Sequence, residues 1–293
     1  MAKAYPIEAL DYASGYEKMY GVSEEQQEFL SWHQDNLRRF DIAPTFERAL
    51  DEGLARLEHM RDALAAQGYR PARERGSAAE AFRVEFAHTT TSLEGNSLTL
   101  AETSLVLEQD IPIPGKSLRE QAEVLDADRA FARAKELAGA AASVTEEVVK
   151  ELHGLIAANL EDADAGQYRW DMRYVTSSRI YPPPPSRVPE LMGRLVGERY
   201  SENPLVNAVM FHLVFEDIHP FGDGNGRTGR VLLNLMLMGG GYAPVAFKSD
   251  SENARRYYQA IASFVEGIET RDATPLLKLV MELEESELSR RLS

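Results

Sequence analysis

The sequence has no cysteine. Disulfides, thiolate-bound zinc and thiol nucleophiles are therefore excluded from its chemistry. Long apolar runs are missing too: no stretch approaches the ~20 residues that a membrane-spanning helix requires. The first residues, Met1 to Lys18, lack the basic start and apolar run of a secretory signal. A soluble, cytoplasmic protein is expected, with no membrane as partner. Positive charge is in short supply, since 32 Lys and Arg face 47 Asp and Glu and leave a formal net charge of −15. A surface of that sign repels a phosphate backbone and argues against nucleic acid as a partner. It leaves room for one local cationic pocket of the size a nucleotide needs.

What is present is mostly helical periodicity. Leu50, Leu54, Leu57, Met60 and Leu64 recur at spacings of three and four, forming one apolar stripe over Phe46 to Gln67 that Gly68 and Pro71 end. The same pattern predicts helices over 78–94, 100–110, 117–138, 145–160, 188–200, 204–218, 226–239, 252–266 and 274–290. One region departs from it. Arg173 to Ile180 mixes Tyr, Val, Thr and Ile with polar residues and runs into the four prolines Pro182 to Pro185. That combination predicts a short exposed strand or hairpin at 173–181, blunted by proline. The shift in composition between Gln67 and Gly76 reads as a linker, dividing a helical N-terminal region, 1–75, from a main domain, 76–293. Packing of both on one core is the alternative. The expected fold class is all-α, a helical bundle with one small β-hairpin.

The densest chemistry lies in His219-Pro220-Phe221-Gly222-Asp223-Gly224-Asn225-Gly226-Arg227-Thr228-Gly229-Arg230, followed by the apolar helical run Val231 to Met238. A glycine-rich loop thus opens a helix, whose first turn has unpaired N–H groups and the positive end of a dipole. Phosphate is the expected occupant of such a place. Arg227 and Arg230, three apart, add two guanidinium forks from one helical face. Asp223 is placed to hold Mg2+ together with phosphate oxygens and water. His219, at the loop entrance, can accept a proton from an attacking hydroxyl. A base, a metal ligand, an anion nest and two charge clamps are the parts of phosphoryl-type transfer. The competing reading is an ordinary turn, since Asp-Gly and Asn-Gly are turn dipeptides. A turn, however, calls for neither the arginines nor the histidine. The loop is not a Walker A motif, and no strand precedes it as in a dinucleotide fold.

This stretch resembles the signature of the Fic family at every defined position, and the resemblance extends over roughly residues 80–285, including Gly166-Gln167-Tyr168-Arg169. It implies a Fic-type helical bundle that transfers AMP from ATP to a Ser, Thr or Tyr hydroxyl of a protein. The implied roles are His219 as base, Phe221 as the loop's anchor and Asp223 as the Mg2+ ligand. Gly224, Asn225 and Gly226 would hold the α-phosphate, Arg227 the β-phosphate and Arg230 the γ-phosphate. The kinase-like Doc branch differs in this loop, and the present chain keeps the nucleotidyl-transfer form. Tyr257 and Tyr258 correspond to an aromatic pair near adenine, with ordinary core aromatics as the alternative. Relatives have a short Gly-Asp turn before the last helix where this chain has Glu266 to Asp272, which leaves the choice of base open. A hairpin flap at 174–181 would dock the protein target by backbone pairing. A homo-oligomer is compatible with the sequence.

Glu94 ends the helix over 78–94, ahead of Gly95, a natural residue for a helix C-terminus. A carboxylate at that negative end calls for a compensating cation, unless it is simply solvated. Thr90, Glu94 and Gly95 resemble the inhibitory motif of self-inhibited Fic proteins, and the resemblance implies Arg230 as the partner of Glu94. Two further readings are hydrolysis of AMP from a modified protein, with Glu94 positioning water, and a nucleotide-sensing module without catalysis. His212 and Glu216, four apart on the helix before the loop, could form part of a metal face, but no HExxH motif and no third ligand accompany them; His212 and His153 read as core residues or supports behind the site.

Overall fold

The computed structural model describes residues 37–109, 111–160, 164–171, 182–267 and 270–292. Among them ten α-helices follow in order: α1 (Asp51–Ala66), α2 (Ser77–Ser92), α3 (Leu100–Gln109), α4 (Leu118–Gly139), α5 (Glu146–Ile156), α6 (Val188–Gly197), α7 (Pro204–Ile218), α8 (Asn225–Gly239), α9 (Ser251–Glu266) and α10 (Thr274–Leu292). Among the described residues the only β-pairing is the single bridge between Thr45 and Asp272. The hairpin expected at 173–181 lies outside the described residues. No helix among the described residues is long and apolar enough to cross a membrane.

The order of hydrophobicity decides the layout. α7 is mostly apolar and buried on nearly every side, with Leu205, Val206, Val209, Leu213, Phe215 and Ile218 all in the core; such a helix has to lie at the centre. It starts where Asn203 accepts hydrogen bonds from Leu205 N (2.9 Å) and Val206 N (3.2 Å), with Pro204 in the first turn. α8 lies against α7 and is flanked by α4 and α5, α2 packs on α4, and α1 lies on α10. Leu54, Leu57 and Leu64 of α1 join the same hydrophobic cluster as Phe86 of α2, Phe131 of α4 and Phe215 of α7.

The first helix begins later than its apolar stripe, at Asp51 rather than Phe46. Residues 37–50 are drawn instead toward the far end of the chain. Thr45 N donates to Arg271 O (3.1 Å), Ala273 N donates to Thr45 O (2.7 Å), and Glu47 N donates to Thr274 Oγ1 (2.9 Å). Under this seam lies a buried ionic triad. Arg39 Nε donates to Asp217 Oδ1 (2.9 Å) and Oδ2 (3.2 Å), and Arg271 Nη2 lies 3.1 Å from Oδ2. Removing the shared anion leaves two buried guanidinium groups facing each other. Asp217→Ala should therefore lower stability by about 3–5 kcal/mol, read as a fall in the urea midpoint, whereas Arg56→Ala, which breaks an exposed pair with Glu285, should change it by less than about 1 kcal/mol.

Candidate active site

α7 stops at His219, which takes the left-handed conformation (φ 50°) and donates its N–H to Phe215 O (2.9 Å). The chain then crosses a tight loop into α8. Phe221 is fully buried, its ring stacked on His153 with centroids 3.6 Å apart. Asn225 closes the loop on itself: Phe221 N donates to Asn225 Oδ1 and Asn225 Nδ2 donates to Phe221 O, both at 2.9 Å. The side chain of Asn225 is thereby spent on the loop's shape, and what it offers an anion is its backbone N–H. Thr228 donates the first bond of the helix, to Gly224 O (3.0 Å). The N–H groups of Asn225, Gly226 and Arg227 therefore have no intrahelical acceptor, as at any helix start.

His153 supports the loop from below. Its Nδ1 accepts from Gly166 N (2.9 Å), so Nε2 carries the proton and donates to Asp223 O (3.0 Å). Burial pushes its pKa down to about 4, which keeps the ring neutral in this role. His219 is partly exposed; burial first, and then the Arg169 guanidinium, push its pKa down to about 4. An imidazole with that pKa is neutral at physiological pH and free to accept a proton.

Arg230 is buried at the other side of the nest, with four polar atoms in reach: two on Thr90 of α2, one on Glu94 in the turn that ends α2 and one on Tyr257 of α9. Nη2 donates to Glu94 Oε1 (2.6 Å) and to Thr90 O (2.8 Å), and Nε donates to Thr90 Oγ1 (2.8 Å). Tyr257 Oη lies 3.4 Å from Nη1. Glu94 closes α2 in a Schellman turn: Asn96 N donates to Thr91 O (3.1 Å), Gly95 N donates to Ser92 O (3.0 Å), and Gly95 has φ 94°. Arg230 thus supplies the cation that the negative end of α2 calls for. The turn is tied down from α4, where Asn96 Nδ2 donates to Glu120 O (2.8 Å) and Glu123 Oε2 (3.0 Å). A Cβ placed on Gly226 would lie 2.4 Å from Glu94 Oε1. The carboxylate therefore lies close against the first turn of α8, at Gly226.

Asp223 is more open, with its side chain 38% exposed. Oδ1 accepts from Gly224 N (2.5 Å) and Arg227 Nη2 (3.0 Å), and Oδ2 faces Arg119 at 3.8 Å. Arg227 is buried, and its Nε has no hydrogen-bond partner among the described residues.

Of the two tyrosines, Tyr257 is 0% exposed. Its ring packs on Phe247 (centroids 4.5 Å) and its hydroxyl lies 2.9 Å from His212 Nε2. It stands behind Arg230 as a core residue and presents no free ring face. Tyr258 is partly buried and donates from its hydroxyl to Leu93 O (2.5 Å), beside Glu94. Glu216 had not stood out in the sequence as part of the site. Burial pushes its pKa up to about 8, Arg230 acting against that and Glu94 adding to it. Glu216 is therefore mostly protonated at neutral pH, and Glu94 remains the anion paired with Arg230.

Residues 143–237 match the model of the Fic/DOC family. The protein adenylyltransferase Fic of Drosophila ananassae is 32% identical over 249 residues, covering 82% of this chain and 48% of that protein. The chain spans about half the length of the curated relatives it matches. Among solved structures, a Fic-1 fragment from C. elegans aligns at TM-score 0.65 and 26% identity over 83% of this chain and 71% of the fragment. A Fic family protein from Desulfovibrio desulfuricans aligns at TM-score 0.69 and 25% identity, over 86% and 77% of the two chains. With its helix-opening loop, its buried arginines and these relatives, the chain carries a domain of the Fic/DOC family at residues 143–237.

Proposed function

We propose that this protein is a cytoplasmic adenylyltransferase, moving AMP from ATP to a Ser, Thr or Tyr hydroxyl of a target protein, and that Glu94 holds it at rest. One observation carries the reading: a partly exposed, neutral His219 ends the helix that leads into an anion nest, and Arg230 beside that nest is held by Glu94, a carboxylate of the chain itself. The names of the relatives support the same chemistry.

In the reaction His219 takes the proton of the target hydroxyl. The hydroxyl oxygen bonds to the α-phosphorus, the bond to the bridging oxygen of the β-phosphate breaks, and pyrophosphate leaves. The free N–H groups of Asn225, Gly226 and Arg227 stabilise charge that grows on the α-phosphate. Arg227 and Arg230 bind the leaving phosphates, and Tyr258 is the aromatic placed for the base. Residues 174–181 are proposed to dock the target.

Among the described residues no three His, Asp or Glu side chains gather as a metal cage. Asp223 instead offers one partly exposed carboxylate beside the nest, which suits Mg2+ shared with phosphate oxygens and water. When bound, the ion neutralises phosphate charge. Asp223→Ala should lower turnover at least about tenfold and flatten the magnesium titration. An unchanged titration at full activity would reduce Asp223 to a turn residue.

A further inference from the structure

Arg169 takes no part in the steps above, yet it is 4% exposed and lies against the loop. Its Nε donates to His219 O (2.8 Å), and its own backbone N–H donates to Pro220 O (2.9 Å). The other guanidinium nitrogens donate to Asp171 O (2.9 Å) and to Pro183 O. One residue therefore holds two consecutive carbonyls at the start of the catalytic loop, and fixes them to two further points of the scaffold.

That grip falls where the backbone needs it. His219 has φ 50°, a conformation that a residue with a Cβ keeps only when its surroundings impose it. A relaxed His219 would turn its imidazole away from the nest. Lysine in place of Arg169 would carry the charge but lacks the planar fork that reaches several acceptors at once.

We infer that Arg169 is the positioning residue of His219, holding it in the left-handed conformation that aims the imidazole at the reacting hydroxyl. The inference rests on His219 being the base. A second effect follows from its charge. The groups acting on His219 are Arg169, which favours the neutral ring, and Glu94, Asp223 and the Glu216 backbone, which favour the charged one; burial is the largest influence and favours the neutral ring. A neutral residue at 169 should move the His219 pKa up, toward ~6.5, so the acid limb of the pH profile moves to higher pH. A peg that merely filled space would not move it.

The test uses the full chain. His219 is assigned by NMR as the imidazole signal missing from His219→Ala, and is titrated without magnesium in the parent, Arg169→Met and Arg169→Lys. Transfer is measured in the Glu94→Gly background. Arg169→Met is expected to raise the His219 pKa and to lower kcat by about 10²-fold with the KM for ATP unchanged. Arg169→Lys is expected to keep the titration near that of the parent while kcat stays low. A folded Met variant with the parent's titration and kcat overturns the inference. If the Met variant does not fold, parental kcat in Arg169→Lys overturns it. If no variant and no parent transfers AMP, the proposed activity fails, while the titrations still decide whether Arg169 acts on His219.

Discussion

Replacing Glu94 with glycine should raise AMP transfer by about 10²-fold, the scale on which ångström misplacement of a reacting group slows catalysis. At rest the carboxylate lies against Gly226 and binds Arg230 at 2.6 Å, so in the proposed reading a γ-phosphate would meet an Arg230 already engaged. The pair has one buried and one part-exposed member, with side chains 2% and 32% exposed. A partly exposed pair contributes on the order of 1 kcal/mol, whereas charge-assisted contacts to phosphate can exceed that. In that reading ATP would compete for Arg230 and bind with its γ-phosphate held off. Thr90 remains to orient the guanidinium after the carboxylate is gone, so the arginine stays ready to bind. Arg230→Ala in the same chain should abolish the gain. Incorporation of labelled AMP from ATP into lysate proteins measures both; an unchanged rate in Glu94→Gly would remove self-inhibition and leave only the catalytic assignment.

His219→Ala should lower transfer by about 10²–10⁴-fold, the usual cost of losing a general base, while ATP binding measured by calorimetry stays within about twofold in a Glu94→Gly background. The ring makes no contact with the arginines that would grip the phosphates; its anchoring runs through its backbone, from Phe215 O to its N–H and from Arg169 to its carbonyl. Losing the ring leaves that backbone path in place. Binding and chemistry should therefore separate. If ATP affinity fell in step with the rate, His219 would be a binding residue.

Much of this was open to reading in the sequence because its signals are local. Asn203-Pro204 opens α7, the loop stops it, and Gly95 ends α2; each is a cap that works over a few residues. The path of residues 37–50 could not be read that way. Its hydrogen bonds run to Arg271, Ala273 and Thr274, and no local pattern names partners so far along the chain. Tyr257 and Tyr258 are neighbours with one side-chain type, and only packing separates the buried support from its partly exposed neighbour. Glu216 sits four residues from His212 on a largely buried helix, a spacing that points to a metal face and gives no sign of a carboxyl beside Arg230. Arg169 was visible as part of a resemblance, but its acceptors are backbone carbonyls, which have no side-chain signature.

The Schellman turn at the end of α2 does two things with one side chain. Glu94 finishes the helix, and its carboxylate engages Arg230. If nucleotide needs Arg230 released, folding of that last turn and nucleotide binding are linked equilibria, and linkage is reciprocal: nucleotide would weaken the turn by the factor by which the turn weakens nucleotide binding. Anything that grips the Gly95–Asn96–Ser97 corner or its anchors Glu120 and Glu123 on α4 would then act on ATP affinity without approaching the nucleotide. Amide exchange at that corner is in turn a gauge of how far the site has been released.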